Sequence, residues 1–411
     1  MSIGKGNFML FSRRFIIKMI IPLILQQALD ITIGMIDSIM VSSAGEAAVS
    51  GVSLIGTLDM LIVYAFTSLA AGGAVVVAQA YGKGDTPLTR HASKQLLYAT
   101  TAVAIAVMSA ALIFRKPLLN VLFGSVEQEV MRHAQEYFFY IMLSLPAYAI
   151  IRVCGTLYST MGKTLTPLIL SIGMNVVNIG GNALLIYGFH MGAKGAAIAT
   201  LCSRAISALL LLIFVQSKKH DIRIEKMLHY RPDFSVIKQI LRIGVPNGVE
   251  NSMFQFGKLL TQSLISSLGT VVIAANAVAQ TLATFEYMPS SLNSAMTAVV
   301  GRCIGAGEKE QAKYYTKKLT FYAYIVLWIF DLGVMLLSGL VIRAYNLSDA
   351  SAEIAHQLIL YHTVFGAVIW PIGFMLPNAF RAASDVKFTL YVSAASMWVF
   401  RVALSYVLAL P

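Results

Sequence analysis

Two carboxylates, Asp30 and Asp37, lie in an apolar run that extends from Phe15 to Ser43. At about 1.5 Å per residue this run is long enough to cross a bilayer as a helix. An ionised carboxylate in hydrocarbon costs at least ~2.5 kcal/mol on insertion scales, so such a group usually faces a cavity or a partner. A carboxylate in a low-dielectric cavity can take up a proton, or it can lose that proton and bind a hard cation such as sodium. The run therefore predicts a membrane helix that handles ions.

Asp37 is the candidate ion-binding residue of this helix, and the alternative is a structural hydrogen bond to a neighbouring helix. Asp30 lies about two helical turns earlier on nearly the same face. It is a candidate ion or substrate contact, or a polar part of a cavity wall. Pro22 removes a backbone hydrogen bond from the same helix. Because this break precedes both carboxylates, we expect Pro22 to act as a hinge.

Further ionisable residues occur in apolar runs of the second half. Glu250 follows Pro246 by one helical turn, and Glu286 comes shortly before Pro289. Both glutamates are candidate ion or substrate contacts. Three other residues are expected to be solvated or structural, namely Asp59 and Asp331 near helix ends and His362 packed within an apolar helix.

The composition indicates the class of protein. Of 411 residues, 57% are hydrophobic and 12% are charged, against roughly 25% charged residues in soluble domains. The apolar runs are continuous rather than alternating, so the spans are α-helices and not barrel strands. The sequence has no HExxH motif, acidic metal cluster or serine nucleophile motif. It predicts an integral membrane protein that is not an enzyme, needs no cofactor or metal site, and binds no nucleic acid.

Eleven membrane spans are predicted, and their loops indicate the orientation. The spans lie roughly at residues 15–40, 53–78, 93–114, 136–158, 166–187, 194–215, 237–265, 271–299, 315–341, 355–379 and 388–410. Most of the 31 Lys and Arg residues fall on the N-terminus and on every second loop. By the positive-inside rule this places the N-terminus in the cytoplasm. We therefore expect a multi-pass protein of the cell membrane.

The second half of the sequence repeats the first. Pro22 matches Pro246 at a separation of 224 residues, and Gly84 matches Gly307 at 223. Both halves begin on the cytoplasmic side, so they run parallel around an axis along the membrane normal, with a central cavity between them. We expect two pseudo-symmetric lobes of six and five helices, with an N-lobe at 1–216, a cytoplasmic linker at 217–236 and a C-lobe at 237–411. The counterpart of the sixth span would begin near residue 415, so no twelfth helix is expected in this sequence.

Several segments together resemble one family of transporters. They are the region from Pro22 through Gln26 and Gln27 to MIDSIMV around Asp37, AQAYGKGD at 78–85, NVVNIGGNALLIYG at 175–188, GAAIAT at 195–200 and WPIGFMLPNAFRAASDVKF at 370–388. Over nearly the whole chain, their order and spacing are similar to the multidrug and toxic compound extrusion (MATE) family. The resemblance implies a two-lobed antiporter of twelve helices. Such an antiporter exports small organic, often cationic, compounds in exchange for H⁺ or Na⁺ by alternating access.

The resemblance also implies a cation site in the N-lobe. Its residues are Asp37, which matches the family's first-helix aspartate, Asn178 and Asn182 on one face of the fifth span, and Thr200 from the sixth. Relatives often have aspartate at the position of Asn182, so here the site holds one formal negative charge. The alternative is that these amide residues only pack the helices together.

The substrate contacts and the alternative functions follow from residue types. Soft methionine side chains repack and aromatic faces attract organic cations, so Tyr64, Phe254 and Phe256 are candidate contacts of a small organic substrate. We expect a monomer in the lipid bilayer.

The alternative function, from the wider superfamily, is flipping of a lipid-linked saccharide or cell-wall precursor, which would need a basic cavity. The arginines within the spans keep it open, namely Arg152, Arg204 and Arg401. A receptor that does not transport is the alternative from another class.

Overall fold

The computed structural model describes residues 9–218, 221–224, 231–345 and 347–409. Within these ranges every element is helical. The α-helices are α1 (Arg13–Ser42), α2 (Glu46–Gly82), α3 (Thr86–Ile113), α4 (Arg115–Phe123), α5 (Gln128–Leu143), α6 (Leu145–Met161), α7 (Leu165–Asn182), α8 (Gly192–Val215), α9 (Phe234–Ser267), α10 (Thr270–Ala283), α11 (Leu292–Gly305), α12 (Lys309–Ala344), α13 (Asp349–Ala382), α14 (Val386–Ala395) and α15 (Leu404–Leu408). Two π-helical segments (Ala183–Gly188 and Ser396–Ala403) follow α7 and α14, and a 3₁₀ segment (Thr284–Ser291) joins α10 to α11.

Each of the eleven predicted spans falls on one of these helices or on a run of them. In the described ranges, eight helical runs are long and apolar enough to cross a membrane, and the bent pair α5–α6, with an angle of 46°, makes a ninth. The other two predicted spans are α9, which carries Glu250 and Lys258, and the run α10–α11, whose two helices have 14 residues each. The prediction of an all-α membrane protein with two pseudo-symmetric halves is confirmed.

The internal duplication is visible in the turns between helices. Gly45 and Gly269, which precede α2 and α10, have φ of 98° and 99°. Gly84 and Gly307 have φ of 77° and 78°, and the backbone hydrogen bonds around these two turns pair equivalent atoms. Glycine adopts positive φ without the steric cost that a Cβ would add. The two halves, α1–α8 and α9–α15, therefore repeat the same local conformations.

The first turns of α1 and α9 each pack against the opposite half. Ile16 and Met19 of α1 belong to a buried cluster with Tyr315 of α12 and other residues of the second half. In the same way, Ile240 of α9 packs with Leu96 and other residues of the first half. The last turns of α1 return to the first half, where its residues 40 and 41 pack near the π-helical segment after α7. Each of these helices therefore links the two halves.

The two halves are in close contact where α2 crosses α9. A Cβ added to Gly72 of α2 would lie 2.5 Å from the backbone nitrogen of Gly244 in α9, so the two backbones are in direct contact. Nearby, Nδ2 of Asn251 donates a hydrogen bond of 2.8 Å to Oγ of Ser68. Residues without side chains allow this approach, which is common between membrane helices. We call this side of the molecule, which carries the turn at Gly84, the closed end.

The described part of the segment between α8 and α9 packs on α3. Oδ2 of Asp233, the N-cap of α9, lies 2.9 Å from Nε2 of His91. Nε2 of Gln95 donates a hydrogen bond of 2.7 Å to the carbonyl oxygen of Arg231. The predicted linker, 217–236, includes residues 219–220 and 225–230, which lie outside the described residues. The lobe boundaries at 216 and 237 stay predictions.

Candidate functional site

Four predicted residues of the first half are brought together by α1, α7 and α8. Nδ2 of Asn182 donates a hydrogen bond of 2.7 Å to Oδ1 of Asp37 and lies 3.4 Å from Oδ1 of Asn178. Nδ2 of Asn178 donates in turn to Oγ1 of Thr200 at 3.3 Å. The four side chains form one continuous chain of contacts. We call this group the Asp37 cluster.

The Asp37 cluster has spare oxygen atoms in a buried place. Asn182 is 1% exposed and its Oδ1 has no hydrogen-bond partner in the described part of the chain. It is the last residue of α7, directly before the π-helical segment Ala183–Gly188. A π-helical segment contains more residues per turn than an α-helix, and such segments are frequent at functional sites. Carboxylate, amide and hydroxyl oxygens are the ligands that hard cations prefer, and the carboxylate can equally hold a proton.

Asp30 lies apart from the Asp37 cluster. Asp30 is an exposed residue, and its charge interacts with that of Arg152. The guanidinium of Arg152 lies 5.1 Å from the centroid of the Tyr148 ring. Asp30 is therefore placed beside a cation that partly offsets its charge.

The expectation that Asp59 is solvated near a helix end is wrong. Asp59 lies within α2, and Oδ2 is 3.4 Å from NH2 of Arg204 in α8, with both side chains largely buried. NH1 of Arg204 also donates to Oγ of Ser144 at 2.9 Å. The two charges come from separate helices, so the pairing depends on how α2 and α8 pack.

A second group of ionisable residues lies inside the second half. Glu286, on the 3₁₀ segment, is 2% exposed, and its Oε2 lies 3.0 Å from Nε2 of His362 in α13. A Cβ added to Gly366 would lie 3.1 Å from the same Oε2, so the glycine leaves room for the carboxylate. His362 was expected to be a simple packing residue. The structure instead places it in contact with an acidic side chain.

Asp331 joins this group from α12, and the expectation that it is solvated near a helix end is also wrong. It is 4% exposed and lies well inside α12, where its charge interacts with Glu286 and His362. Neither carboxylate oxygen has a hydrogen-bond partner in the described ranges. Asp331 therefore forms one ionisable group with Glu286 and His362 inside the second half.

Glu250 is already paired within the second half. Its Oε2 lies 2.6 Å from NH2 of Arg381 in α13, and its Oε1 accepts a hydrogen bond of 2.6 Å from Oγ of Ser393 in α14. Both charged side chains are nearly buried. The geometry gives this candidate a structural partner that the sequence did not indicate.

The structure also contains a cavity of about 300 Å³ between α2, α9, α10 and the last helical run. Its lining includes Met60, Leu61, Gln255, Leu259 and two basic side chains, Lys258 and Arg401. Lys258 was not among the predicted contacts. A charged residue inside an apolar span was the signal that could have indicated it.

The three predicted substrate contacts lie around this cavity but not in its lining. Tyr64 of α2 lies close to Gln255, which is a lining residue. Phe254 packs on Phe374 with ring centroids 5.8 Å apart. Phe256 is 54% exposed. Tyr64 and Phe254 therefore each approach a side chain of the lining, since the guanidinium of Arg401 lies 5.3 Å from the centroid of the Phe254 ring.

Comparison with known proteins gives consistent matches over the whole chain. The MatE family model matches residues 22–184 and 246–407. A probable multidrug resistance protein NorM of Thermotoga maritima is 25% identical over 404 residues, which are 96% of this chain and 85% of that protein. An uncharacterized transporter, YisQ of Bacillus subtilis, is 21% identical over 391 residues, which are 94% of this chain and 85% of that protein.

Solved structures match the fold. A MOP superfamily transporter from Pyrococcus furiosus, described as having a binding pocket of reverse polarity, has a TM-score of 0.88 at 19% identity and covers 100% of this chain and 91% of that one. A MATE structure in the straight conformation has a TM-score of 0.89 at 19% identity, covering 99% and 91%. One in the bent conformation has a TM-score of 0.87 at 18% identity, covering 96% and 87%.

Proposed function

The chain belongs to the MATE family, and from this premise we propose that it is a secondary active antiporter that exports small organic compounds in exchange for H⁺ or Na⁺. The family model matches both halves, at 22–184 and 246–407. The relative from Thermotoga maritima carries a name that refers to multidrug resistance. The proposal includes a monomer in the cell membrane, with the N-terminus in the cytoplasm and two lobes that divide at the linker 217–236.

The observation that carries the proposal is the contact between Asp37 and Asn182. An amide donor at 2.7 Å holds one carboxylate oxygen, while the second carboxylate oxygen and Oδ1 of Asn182 can face an ion. Asn178 and Thr200 extend the same set of oxygen atoms. This donor set suits either a proton on Asp37 or a sodium ion, because both are stabilised by oxygen atoms in a place with little water.

The group around Glu286 is a second candidate for ion handling. Its contact with His362 provides a proton acceptor beside a titratable partner, and Asp331 adds a second buried carboxylate. Glu250 is less suited to this role because Arg381 already balances its charge. Asp30 keeps the role of a polar contact near Arg152.

Pro22 supports a mechanism of alternating access. It lies where α1 leaves the packing of the second half, in which Ile20 and Leu23 are buried, and continues toward Asp37. A proline leaves one backbone carbonyl unpaired, so the helix bends there at low cost. Loading of Asp37 would then change the bend of α1 and the contact between the halves. One charge moved across ~100 mV supplies ~2.3 kcal/mol, enough for a roughly fifty-fold gradient of a neutral substrate.

The alternative function, flipping of a lipid-linked saccharide or cell-wall precursor, needs cations that face the cavity. Of the arginines named for it, Arg204 is paired with Asp59 and Arg152 lies close to Asp30. Arg401 lines the cavity together with Lys258, and this observation favours the alternative. Exposure of a pyrophosphate-linked lipid on the outer leaflet of vesicles, without an ion gradient, would distinguish it from antiport.

The proposed antiport is tested by efflux of fluorescent dyes from vesicles that contain the full chain. A proton gradient and a sodium gradient are imposed separately, with an organic anion and an organic cation as the two dyes. We expect one ion to drive efflux of at least one dye. We expect Asp37→Asn to reduce this efflux by at least about tenfold, since a fixed amide cannot exchange a proton or balance a cation.

Glu353→Gln is the matched control, because Glu353 is an exposed carboxylate at the start of α13. It should leave the efflux unchanged. Efflux that survives Asp37→Asn would remove Asp37 from the coupling site. No movement of either dye under either gradient would contradict antiport and favour the lipid flippase.

A further inference from the structure

We propose that the cavity between the two halves binds the acid group of an organic anion through Lys258 and Arg401. The inference rests on the proposed export function and names its substrate class. Both residues line the cavity of about 300 Å³, and none of the lining residues in the described part of the chain is an Asp or Glu. The cavity is therefore positively charged, in contrast to the cationic compounds that the family resemblance indicated.

The two cations of the cavity differ from two other largely buried cations of this chain, Arg204 and Arg381. Arg204 is paired with Asp59 and Arg381 with Glu250. Within the part of the chain that the structure describes, neither Lys258 nor Arg401 forms an ion pair. A cation that is partly removed from water without an anion is costly, so an acidic ligand recovers part of that cost.

The contacts of Lys258 and Arg401 are neutral and aromatic. Nζ of Lys258 donates a hydrogen bond of 3.2 Å to the hydroxyl of Tyr287. The guanidinium of Arg401 lies 5.3 Å from the centroid of the Phe254 ring. These neighbours hold the two side chains without cancelling their charge. The guanidinium fork can then bind a carboxylate, sulfonate or phosphate with two parallel hydrogen bonds.

The rest of the cavity fits the body of such a compound. Met60, Leu61 and Leu259 provide apolar surface, and Gln255 adds an amide for orientation. A volume of this size lies at the lower end of drug-sized pockets. An organic cation in the same place would meet two like charges, and no acidic side chain among the described lining residues would offset them.

The test compares two dyes with the same xanthene core and opposite charge. Purified full-length protein in phosphatidylcholine nanodiscs is titrated at pH 8 with fluorescein, an anion, and with rhodamine 123, a cation, and fluorescence anisotropy is recorded. We expect fluorescein to bind at least about tenfold more tightly. Lys258→Gln and Arg401→Gln should each weaken fluorescein at least about tenfold and leave rhodamine 123 unchanged or tighter.

Lys387→Gln is the control, because Lys387 is an exposed lysine at the start of α14, in the helical run that contains Arg401. Its binding of both dyes should match the parent protein. If the glutamine variants bind neither dye, the charge-preserving variants Lys258→Arg and Arg401→Lys are measured. Fluorescein binding that is retained in these two variants supports the proposal. The proposal is overturned if rhodamine 123 binds more tightly than fluorescein, or if none of these variants changes the affinity for fluorescein.

Nanodiscs that contain phosphatidylglycerol, an anionic lipid, show whether the acidic ligand is a lipid headgroup or a soluble organic acid. Loss of fluorescein binding in these discs means that an anionic lipid headgroup occupies the site, whereas unchanged binding means that a soluble organic acid is the ligand. Both results are consistent with an anion site. Fluorescein binding without ion-driven efflux would contradict the proposed export function alone. Ion-driven efflux of rhodamine 123 without fluorescein binding would contradict the anion site alone.

Discussion

Nδ2 of Asn182, the last residue of α7, donates a hydrogen bond of 2.7 Å to Oδ1 of Asp37 in α1. The bond joins the end of a helix to a carboxylate that follows the proline break of another helix. It therefore connects the state of the carboxylate to the relative positions of α1 and α7.

Asn182→Asp adds a second carboxylate beside Asp37. Two unit charges about 4 Å from a cation at an effective dielectric of 20 each contribute up to about 4 kcal/mol before desolvation. We expect the apparent affinity for the driving ion to rise about tenfold, as measured by ion-dependent dye efflux. Asn175→Asp, also buried in α7 but without a contact to Asp37, should not have this effect. An unchanged ion dependence in Asn182→Asp would place the ion elsewhere.

Pro22→Ala restores a backbone donor to α1. If the bend of α1 changes during the cycle, a straighter and stiffer helix raises the barrier, and a roughly tenfold lower rate corresponds to ~1.4 kcal/mol. We expect slower ion-driven efflux with unchanged dye binding. Pro87→Ala is the control, because Pro87 occupies the first turn of α3, where proline costs no hydrogen bond. Normal efflux in Pro22→Ala would remove the hinge from the mechanism.

Gly72→Leu tests whether the closed end must form during transport. A side chain at Gly72 cannot fit against the backbone of Gly244, since a Cβ alone would lie 2.5 Å from its nitrogen. We expect loss of most efflux, with dye binding retained in monodisperse protein. Gly56→Leu, on the same helix but with no atom within 4 Å of the added Cβ, should transport normally. Full activity of Gly72→Leu would mean that the cycle does not need this contact.

Glu250→Gln leaves Arg381 without its anion in a nearly buried position. Breaking a buried pair costs about 3 to 5 kcal/mol in soluble proteins, so we expect a clearly lower melting temperature of the purified protein. The double variant Glu250→Met with Arg381→Met should recover most of the stability, because no charge is left unpaired. If the double variant is stable but has lost ion-driven efflux, Glu250 takes part in ion handling after all.

Asp233 at the start of α9 gives the stability a specific pH dependence. The hydrogen bond with His91 lowers the pKa of Asp233 below its ordinary value of 3.8. The folded carboxylate is thus harder to protonate than the unfolded one, so its contribution is complete above that value and is lost as the pH falls through and below it. The melting temperature of Asp233→Asn should therefore be lower than that of the parent protein at pH 7. The two melting temperatures should approach each other in acid. A difference that does not change with pH would contradict this contact.

The sequence alone predicted the membrane class, the eleven spans and the duplication, because these depend on local properties. Hydropathy accumulates along about 20 consecutive residues. Matching positions such as Gly84 and Gly307 repeat at separations of 223 to 224 residues. Asp37 was predicted from its place in an apolar helix, and the whole Asp37 cluster was predicted through the family resemblance. The structure brings its members into contact.

Only the tertiary structure decided which charges are paired and which are free. Asp59 and Asp331 were expected at helix ends, yet Asp59 of α2 is paired with Arg204 of α8, and Asp331 lies near Glu286 and His362 of two other helical elements. Glu250 has an arginine partner, whereas Lys258 and Arg401 face a cavity whose lining, over the residues that the structure describes, contains no carboxylate. Helical periodicity predicts which face of a helix a residue occupies. It does not predict which helix packs on that face, and the effect of a charge depends on that neighbour.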